Sequence, residues 1–392
     1  MRDTPPFTIR VIVHTEELDA LVPAWERLHT DARGTLFQTP FWNLAWWKHY
    51  GSPYALCVVT VYSGETLTGV LPMFVEQTSL GPVHLKRLRF LGARYAYGEY
   101  LPLVHPHHVQ AVCTALAEYC VSEVRSGSVD IIELHRVPDH APVTDILYQH
   151  LSRRGIHARY THRMIPRAIA RLPATWDEHL HSLATSERAT LGRRERSLTR
   201  KGVSLDVVTT IGSFQDAFAD FVCLHGASWH PRGYTGYFES LAGFRDFLEE
   251  VTSAAVERRE ARLYFFRHSG RRFAAVLAFF VNRQCCFYLS GLDRHDPMTR
   301  YSPGKVLLAR VIRDAIEEEY EVFDFQGGTE DYKYRLGGRK TWFSKISVRR
   351  SGISGIPSSL FLVAQLAGNF TINAILEERL RPFIRRLFGR QT

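Results

Sequence analysis

Asp324, Glu330, Tyr332 and Lys333 fall within ten residues, in "VFDFQGGTEDYKYRLGG", shortly after a segment that opens "RYSPGKVLLARVI" at Arg300. Such a group suits proton transfer: a carboxylate takes a proton from an attacking group, and a tyrosine such as Tyr301 or Tyr332 returns one to a leaving group. Ser302 followed by Pro303 predicts a helix start, because serine can cap unpaired N–H groups and proline suits a first position that needs no donor. Helix starts offer amides and partial positive charge to phosphates. Gly304 would let a ligand approach the backbone, and Arg300 and Lys305 would add full charges. Gly327 and Gly328 end the next strand, where backbone amides could stabilise an oxyanion. Asp324, between Phe323 and Phe325, should point away from both; its carboxylate either caps local backbone or works in a cleft.

A second group lies upstream. "CLHGASWHPRGYTGYF" gathers His225, Trp229, His230, Tyr234 and Tyr237, aromatic and polar rings suited to an extended or ring-shaped acceptor. No metal is expected there, since His225 and His230 are five apart and no carboxylate or cysteine completes a ligand set. "HPHH" at 105–108 reads as a surface turn. "HLHSLATSERATLGRRERSLTRKG" predicts one helix ending at Gly202, with Arg188, Arg193, Arg194, Arg196, Arg200 and Lys201 set against Glu187 and Glu195. Its arginines form either a solvated face or an anion-holding wall in which Arg193 and Arg196 would meet substrate. Walker A, nucleophile-elbow, His-Glu-x-x-His and dinucleotide patterns do not occur, which argues against several common enzyme classes.

The elements that must position these groups come in two similar series. "YALCVVTVY" and "TLTGVLPMFVEQ" form a hairpin, followed by "LKRLRFLG", a helix over about 107–125, the strand "VDIIELH" and a helix near 143–153. Later, "ARLYFFRHSGRRFAAVLAFFVNRQ" forms another hairpin, then "CCFYLSG", a helix over 303–319 and "EVFDF". Ser63-Gly64, Val70-Leu71 and Phe74-Val75 match Ser269-Gly270, Val276-Leu277 and Phe280-Val281 at one constant offset of 206 residues. The reading is α/β (α+β): two tandem units, each a mixed sheet with antiparallel hairpins flanked by helices, at 1–165 and 166–350, meeting at an interface that suits a cleft. Residues 351–392 read as a basic amphipathic helical tail that could lie on an anionic membrane or equally pack back on the protein. Trp42, Trp46 and Trp47 read as core more readily than as a pocket floor.

With 392 residues, 45% hydrophobic content and a net charge of +9, the chain should fold into about two or three packed units that favour anionic partners. Its six cysteines form no C-x-x-C pair and the start lacks a secretory pattern, so a reduced, cytoplasmic protein is expected. No apolar run reaches the length of a membrane span.

The stretch from about Thr185 to Arg350 resembles the CelD-like acetyltransferase branch of the GNAT superfamily and, more distantly, the Fem-type peptidoglycan bridge transferases. "SERATLGRRERSL", "LHGASW", "YLSGLD", "YSPGKVLLARVI", "FDFQGG" and "EDYKYRLGG" fall in the family's order, and the first half fits through "FQTPFWNLAWWKHYG" and "LGARYAYGEYL". The resemblance implies two GNAT-like units and an N-acyltransferase, with an acyl-CoA as co-substrate and no metal. The acceptor would be a small molecule, nucleotide sugar or envelope precursor. Asp324, Glu330, Tyr301, Tyr332 and Lys333 would be the catalytic candidates; Arg300, Ser302, Gly304, Lys305, Gly327 and Gly328 would hold the donor; His225, Trp229, Tyr234, Arg193 and Arg196 would line the acceptor side. The superfamily's usual pyrophosphate loop is not intact around Arg300 to Lys305, and the Fem branch implies aminoacyl-tRNA, so both donors stay open. A non-catalytic module that binds an envelope precursor, or docks an assembly complex through its basic tail, is the alternative from another class; peripheral contact at the inner membrane face is expected only through that tail.

Overall fold

A computed structural model describes residues 7–80, 83–93, 98–99, 101–152, 156–352 and 355–361. The expected tail lies outside the described residues apart from 351–352 and 355–361. No helix among the described residues is long and apolar enough to cross a membrane.

The first half runs Phe7–Ile12 (β1), Thr15–Asp31 (α1), Pro40–Tyr50 (α2), Ala55–Ser63 (β2), Thr66–Leu80 (β3) and Val83–Phe90 (β4). It continues through Leu103–Val104 (β5), Val109–Ser126 (α3), Ile131–Pro138 (β6), Pro142–Leu151 (α4) and Ile156–Arg171 (β7). The second half opens with Trp176–Ser182 (α5), Thr185–Arg200 (α6), Ser204–Val208 (β8), Phe214–Trp229 (α7), Tyr237–Ser240 (α8) and Phe244–Glu257 (α9). Ala261–His268 (β9), Arg271–Val281 (β10), Gln284–Leu292 (β11), Pro303–Glu317 (α10), Val322–Gly327 (β12), Asp331–Arg335 (α11) and Arg339–Arg350 (β13) complete it. Local chemistry explains several boundaries. Thr39 accepts a hydrogen bond from the Trp42 amide at the start of α2, with Pro40 in its first turn. The β9–β10 turn places Ser269 and Gly270 at φ 50° and 79°, the backbone a tight two-residue hairpin demands. The single helix expected before Gly202 is two, because Leu183 between α5 and α6 is extended (ψ 153°) and buried.

Among the described residues all strands share one 13-stranded sheet in the order β1-β2-β3-β4-β6-β13-β7-β12-β11-β10-β9-β8, with β5 on β3. The order is palindromic. In each half a parallel pair (β4 with β6, β11 with β12) is joined through a long helix (α3, α10). The halves exchange their last strands: β7 pairs with β12, and β13 pairs with β6. The β7–β13 pair is the antiparallel seam between them, so the expected division at 165/166 falls inside β7.

Helices α1, α2, α7 and α9 cover one face and bury a single core drawn from both halves, in which Trp42 packs edge-on against Phe247 (5.3 Å) and Tyr288 (5.5 Å). Trp42 and Trp46 are wholly buried there, whereas Trp47 borders a groove of about 560 Å³ with Leu44, Tyr54, Lys48 and Glu250. Two further cores, under α3–α4 and under α10, line the opposite face.

The element order therefore repeats, but the letter match at offset 206 does not reflect it. Val70 and Phe74 face the shared core, while their lettered counterparts Val276 and Phe280 face the α10 side. A shift of one residue inverts every side chain of a strand, so these letters coincide without being structurally equivalent. The cysteines are free, five buried and Cys223 exposed.

Candidate active site

Strands β11 and β12 pair only over Gln284–Cys286 against Val322–Asp324 and then separate. Because α10 is the crossover between two parallel strands, its N-terminus lies at the strands' C-terminal end, beside the residues after β12. Asp296 caps the turn that leads there, accepting from the Met298 amide at 2.8 Å. Ser302 adopts φ 51° and makes no side-chain cap, contrary to expectation. Its carbonyl instead accepts from the amides of Lys305 (3.1 Å) and Val306 (3.3 Å). Pro303 is buried in the first turn. A Cβ placed on Gly304 would meet nothing within 4 Å, so the entrance is open at that point. Arg300 is exposed and stacks over the Tyr301 ring at 4.9 Å.

Lys305 turns inward. It pairs with Glu187 of α6, whose other oxygen lies 3.7 Å from Arg335 of α11. Burial pulls the Lys305 ammonium down from its ordinary value, and Glu187 opposes that pull. The lysine expected to grip phosphate thus ties together the starts of α10 and α6 and the helix after β12. Glu187, Leu191 and Leu198 define the buried face of α6; half-buried Arg194 shares it and acts electrostatically on Lys305. Arg193 and Arg196 are exposed on the other side. Helical phase with Leu191 and Leu198 was the signal that could have selected Arg194.

Phe323 and Phe325 enter the core under α10, and Asp324 points the other way, as its strand position requires. It is 3% exposed and accepts four hydrogen bonds: from Arg167 Nε (3.3 Å) and Nη2 (2.6 Å) and from the Gln326 amide (2.8 Å) and Nε2 (2.6 Å). Arg167 also reaches Glu99 at 2.5 Å. Burial pushes the Glu99 carboxyl up, opposed by Arg167, while Asp324 and Glu99 hold the guanidinium charged against its own burial. A carboxylate held by four donors has little capacity left to take a substrate proton. Asp324 is better described as organising the end of β12. Gln326 Nε2 also contacts Cys286 Sγ (3.1 Å), whereas Gln326 Oε1 is buried with no partner among the described residues.

The other candidates around β12 divide similarly. Lys333 is 3% exposed and donates to the Gly327 carbonyl at 2.6 Å, with Glu330 at 3.0 Å, so it straps the strand end rather than facing a ligand. The Gly328 amide donates to Pro166 O (2.9 Å), and a side chain on Gly328 (φ 128°) would collide with Glu330. The glycines therefore shape a tight turn and offer neither of these backbone groups to a donor. Glu330 is 48% exposed at its side chain. Half-buried Tyr332 has its phenol pushed well above the ordinary value by burial and then by the Glu330 charge, so it stays protonated at neutral pH.

On the opposite wall, His225 is a clamp. Its Nδ1 donates to Ser290 O (2.9 Å), and Nε2 accepts from the Tyr237 amide (3.3 Å). Burial lowers its pKa, as expected for a neutral ring engaged at both nitrogens. Three residues along α7, Ser228 Oγ accepts from the Leu292 amide at 2.7 Å. Together they occupy backbone groups of β11 beyond the point where β12 departs. Gly291 permits this close approach, since a Cβ there would lie 2.7 Å from the α7 backbone. Trp229 and Tyr234 remain half-buried beside this wall.

Residues 185–334 match the family model described as an acetyltransferase (GNAT) domain. The fold is GNAT-like. The matched region spans α6 to most of α11 and so contains both the open start of α10 and the end of β12. Among solved structures, the chain is similar to FemX, at 12% identity and a TM-score of 0.60 over 87% of this chain and 96% of that one. It is also similar to the C-terminal domain of a putative lysylphosphatidylglycerol synthetase from Agrobacterium fabrum, at 11% identity and a TM-score of 0.50 over 86% and 95%. A tandem GNAT protein from the clavulanic acid biosynthesis pathway is 14% identical, with a TM-score of 0.45 over 88% and 99%. No curated protein matches the sequence.

Proposed function

We propose that the second half transfers an acyl group from an acyl-CoA to an amine, or secondarily a hydroxyl, of a sugar- or envelope-related acceptor. The observation that carries this reading is the open start of α10 at Gly304, with Arg300 just before it and Arg194 and Arg335 acting on its first turn. These residues fit a phosphate-bearing donor. An acyl-CoA would supply the activated acyl group. Glu330 takes the acceptor's proton through a water, and Tyr332 holds a proton for the leaving thiolate. The unpartnered Gln326 Oε1 accepts from a ligand N–H. Asp324, Arg167 and Lys333 position these groups. The acetyltransferase description of the matched domain and the CelD-like motifs support the acyl donor and the class of acceptor.

A second reading, transfer from an aminoacyl-tRNA, is favoured by the His225 and Ser228 contacts that occupy the β11 edge, because they deny an amide-bearing donor arm those backbone partners. The resemblance to the Fem-type transferases and the net charge of +9 point the same way. Calorimetry with acetyl-CoA, longer acyl-CoAs and charged tRNA separates the readings. Saturable acyl-CoA binding is expected, and Glu330→Gln and Tyr332→Phe should retain it while turnover falls about 10²-fold or more. Absence of acyl-CoA binding at millimolar concentration, with salt-sensitive tRNA binding, would replace the first reading by the second. Full turnover in both variants would remove the assigned roles.

A further inference from the structure

We propose that Asp139, His140 and His162 form a binding site for a divalent transition-metal ion of the zinc class, pinning the exchanged strand β7 to the first half. Their ligand atoms lie within 4.8 Å of one another. His162 Nδ1 is 2.7 Å from Asp139 Oδ1, and His140 Nε2 is 3.8 Å from Oδ2. Ligands at zinc–nitrogen and zinc–oxygen bond lengths of about 2.0–2.2 Å stand roughly 3.3 Å apart in a tetrahedron, which these separations bracket. Two imidazoles and one carboxylate form a borderline donor set, better suited to zinc, cobalt or nickel than to magnesium or calcium.

The site is built rather than scattered. The Asp139 side chain is 4% exposed and forms the floor, while those of His140 and His162 are 68% and 45% exposed and form the rim, leaving room for a ligand from solvent. The Asp139 amide donates to Trp342 O at 3.0 Å, and Ser344 and Tyr160 hydroxyls reach its carboxylate. Such outer contacts are what hold a metal-ligating carboxylate in place. The two imidazoles stack at 5.2 Å and 21°, so binding turns the exposed His140 ring out of the stack until its lone pair meets the ion.

The backbone converges on the same spot. Across β13, Lys345 faces Thr161 and Phe343 faces Ile165, so residues 162–164 of β7 oppose Ser344 alone. On the other side, Ser344 faces Val137 and Lys345 faces His135, which leaves Arg136 as an extra residue in β6. Arg136, His140 and Arg163 hold φ of 59°, 57° and 54° without being glycine. Bulges re-aim side chains, and left-handed backbone at ordinary residues persists only where surroundings impose it. Here the result is to bring a residue of the turn after β6 and a residue of β7 onto one carboxylate. Those segments diverge into the two halves, so an ion would tie the exchange at its root.

The test uses the full chain after chelation, titrated with Co²⁺ by visible absorption and with Zn²⁺ by calorimetry and thermal melting. One equivalent should bind with a Kd of about 1–10 µM, giving the intense spectrum of four-coordinate cobalt and a rise in Tm with added zinc. His140→Ala and His162→Ala, both at exposed rings, should each weaken binding at least about tenfold and abolish the Tm rise. Removal of His105, His107 and His108 together should leave both unchanged. Binding lost only in that triple variant, undiminished in His162→Ala, or absent in the native chain overturns the proposal.

Discussion

Gly304→Asp separates a helix start that binds an anion from one that only begins a helix. The glycine occupies the first turn of α10, at non-positive φ, and a new Cβ meets nothing within 4 Å. Replacing glycine in a helix and adding a carboxylate near its N-terminus are both favourable, at about 0.3–1 kcal/mol each, so the variant should be at least as stable as the native chain. For a bound phosphate the sign reverses. A like charge at roughly 6 Å, at an effective dielectric constant of about 20–40, costs about 1.4–2.8 kcal/mol, or roughly ten- to hundredfold in Kd. Melting and acyl-CoA titration on the same preparation read both effects, with Gly304→Ala as the uncharged control. Equal affinity in Gly304→Asp and Gly304→Ala would place the anion elsewhere and refute a donor phosphate at the start of α10.

Two further outcomes concern the seam between the halves. Arg167→Ala leaves Asp324 and Glu99 buried together without their cation and should cost about 3–5 kcal/mol in urea unfolding; Lys345→Ala, which leaves Glu133 with Arg87, should cost less. Stability should also fall in two stages on acidification. Burial, then Lys345, Arg136 and Arg89, pull His135 to about 4, so the unfolded chain binds the extra proton and stability is lost as pH drops from 6.5 towards 4. Burial raises Glu133, but Lys345 and Arg87 outweigh it and hold it at about 2, so up to about 3 kcal/mol is lost as pH drops from 4.5 towards 2. His135→Gln should flatten the first stage in melting curves recorded from pH 7 to 4, and an unchanged slope would refute its assignment.

Those pairs also show how the duplication is written. Glu133 on β6 and Asp324 on β12 occupy matching places, each opposite the third paired residue of its parallel neighbour, Arg89 or Cys286. Each is buried against a cation on the strand received from the other half, Lys345 or Arg167. No letter repeat announces this, since Glu and Lys stand where Asp and Arg stand, and the residues in each pair are 212 and 157 positions apart.

The sequence by itself determined the two hairpins, the crossover helices α3 and α10 and their order, because turn chemistry and apolar periodicity act over a few residues. It also located the start of α10 and the cluster after β12. It did not disclose β7 or β13, whose alternation is obscured by arginine and histidine in "IHARYTHRMIPRAIAR" and by arginine and lysine in "RKTWFSKISVRR". Only the tertiary structure decided that these strands cross between halves, that Asp324, Lys305, Lys333 and His225 are committed to partners, and that Arg194 turns inward while Arg193 and Arg196 do not. A residue's type states which bonds it can make. Which ones it makes depends on groups that only folding brings within about 3 Å.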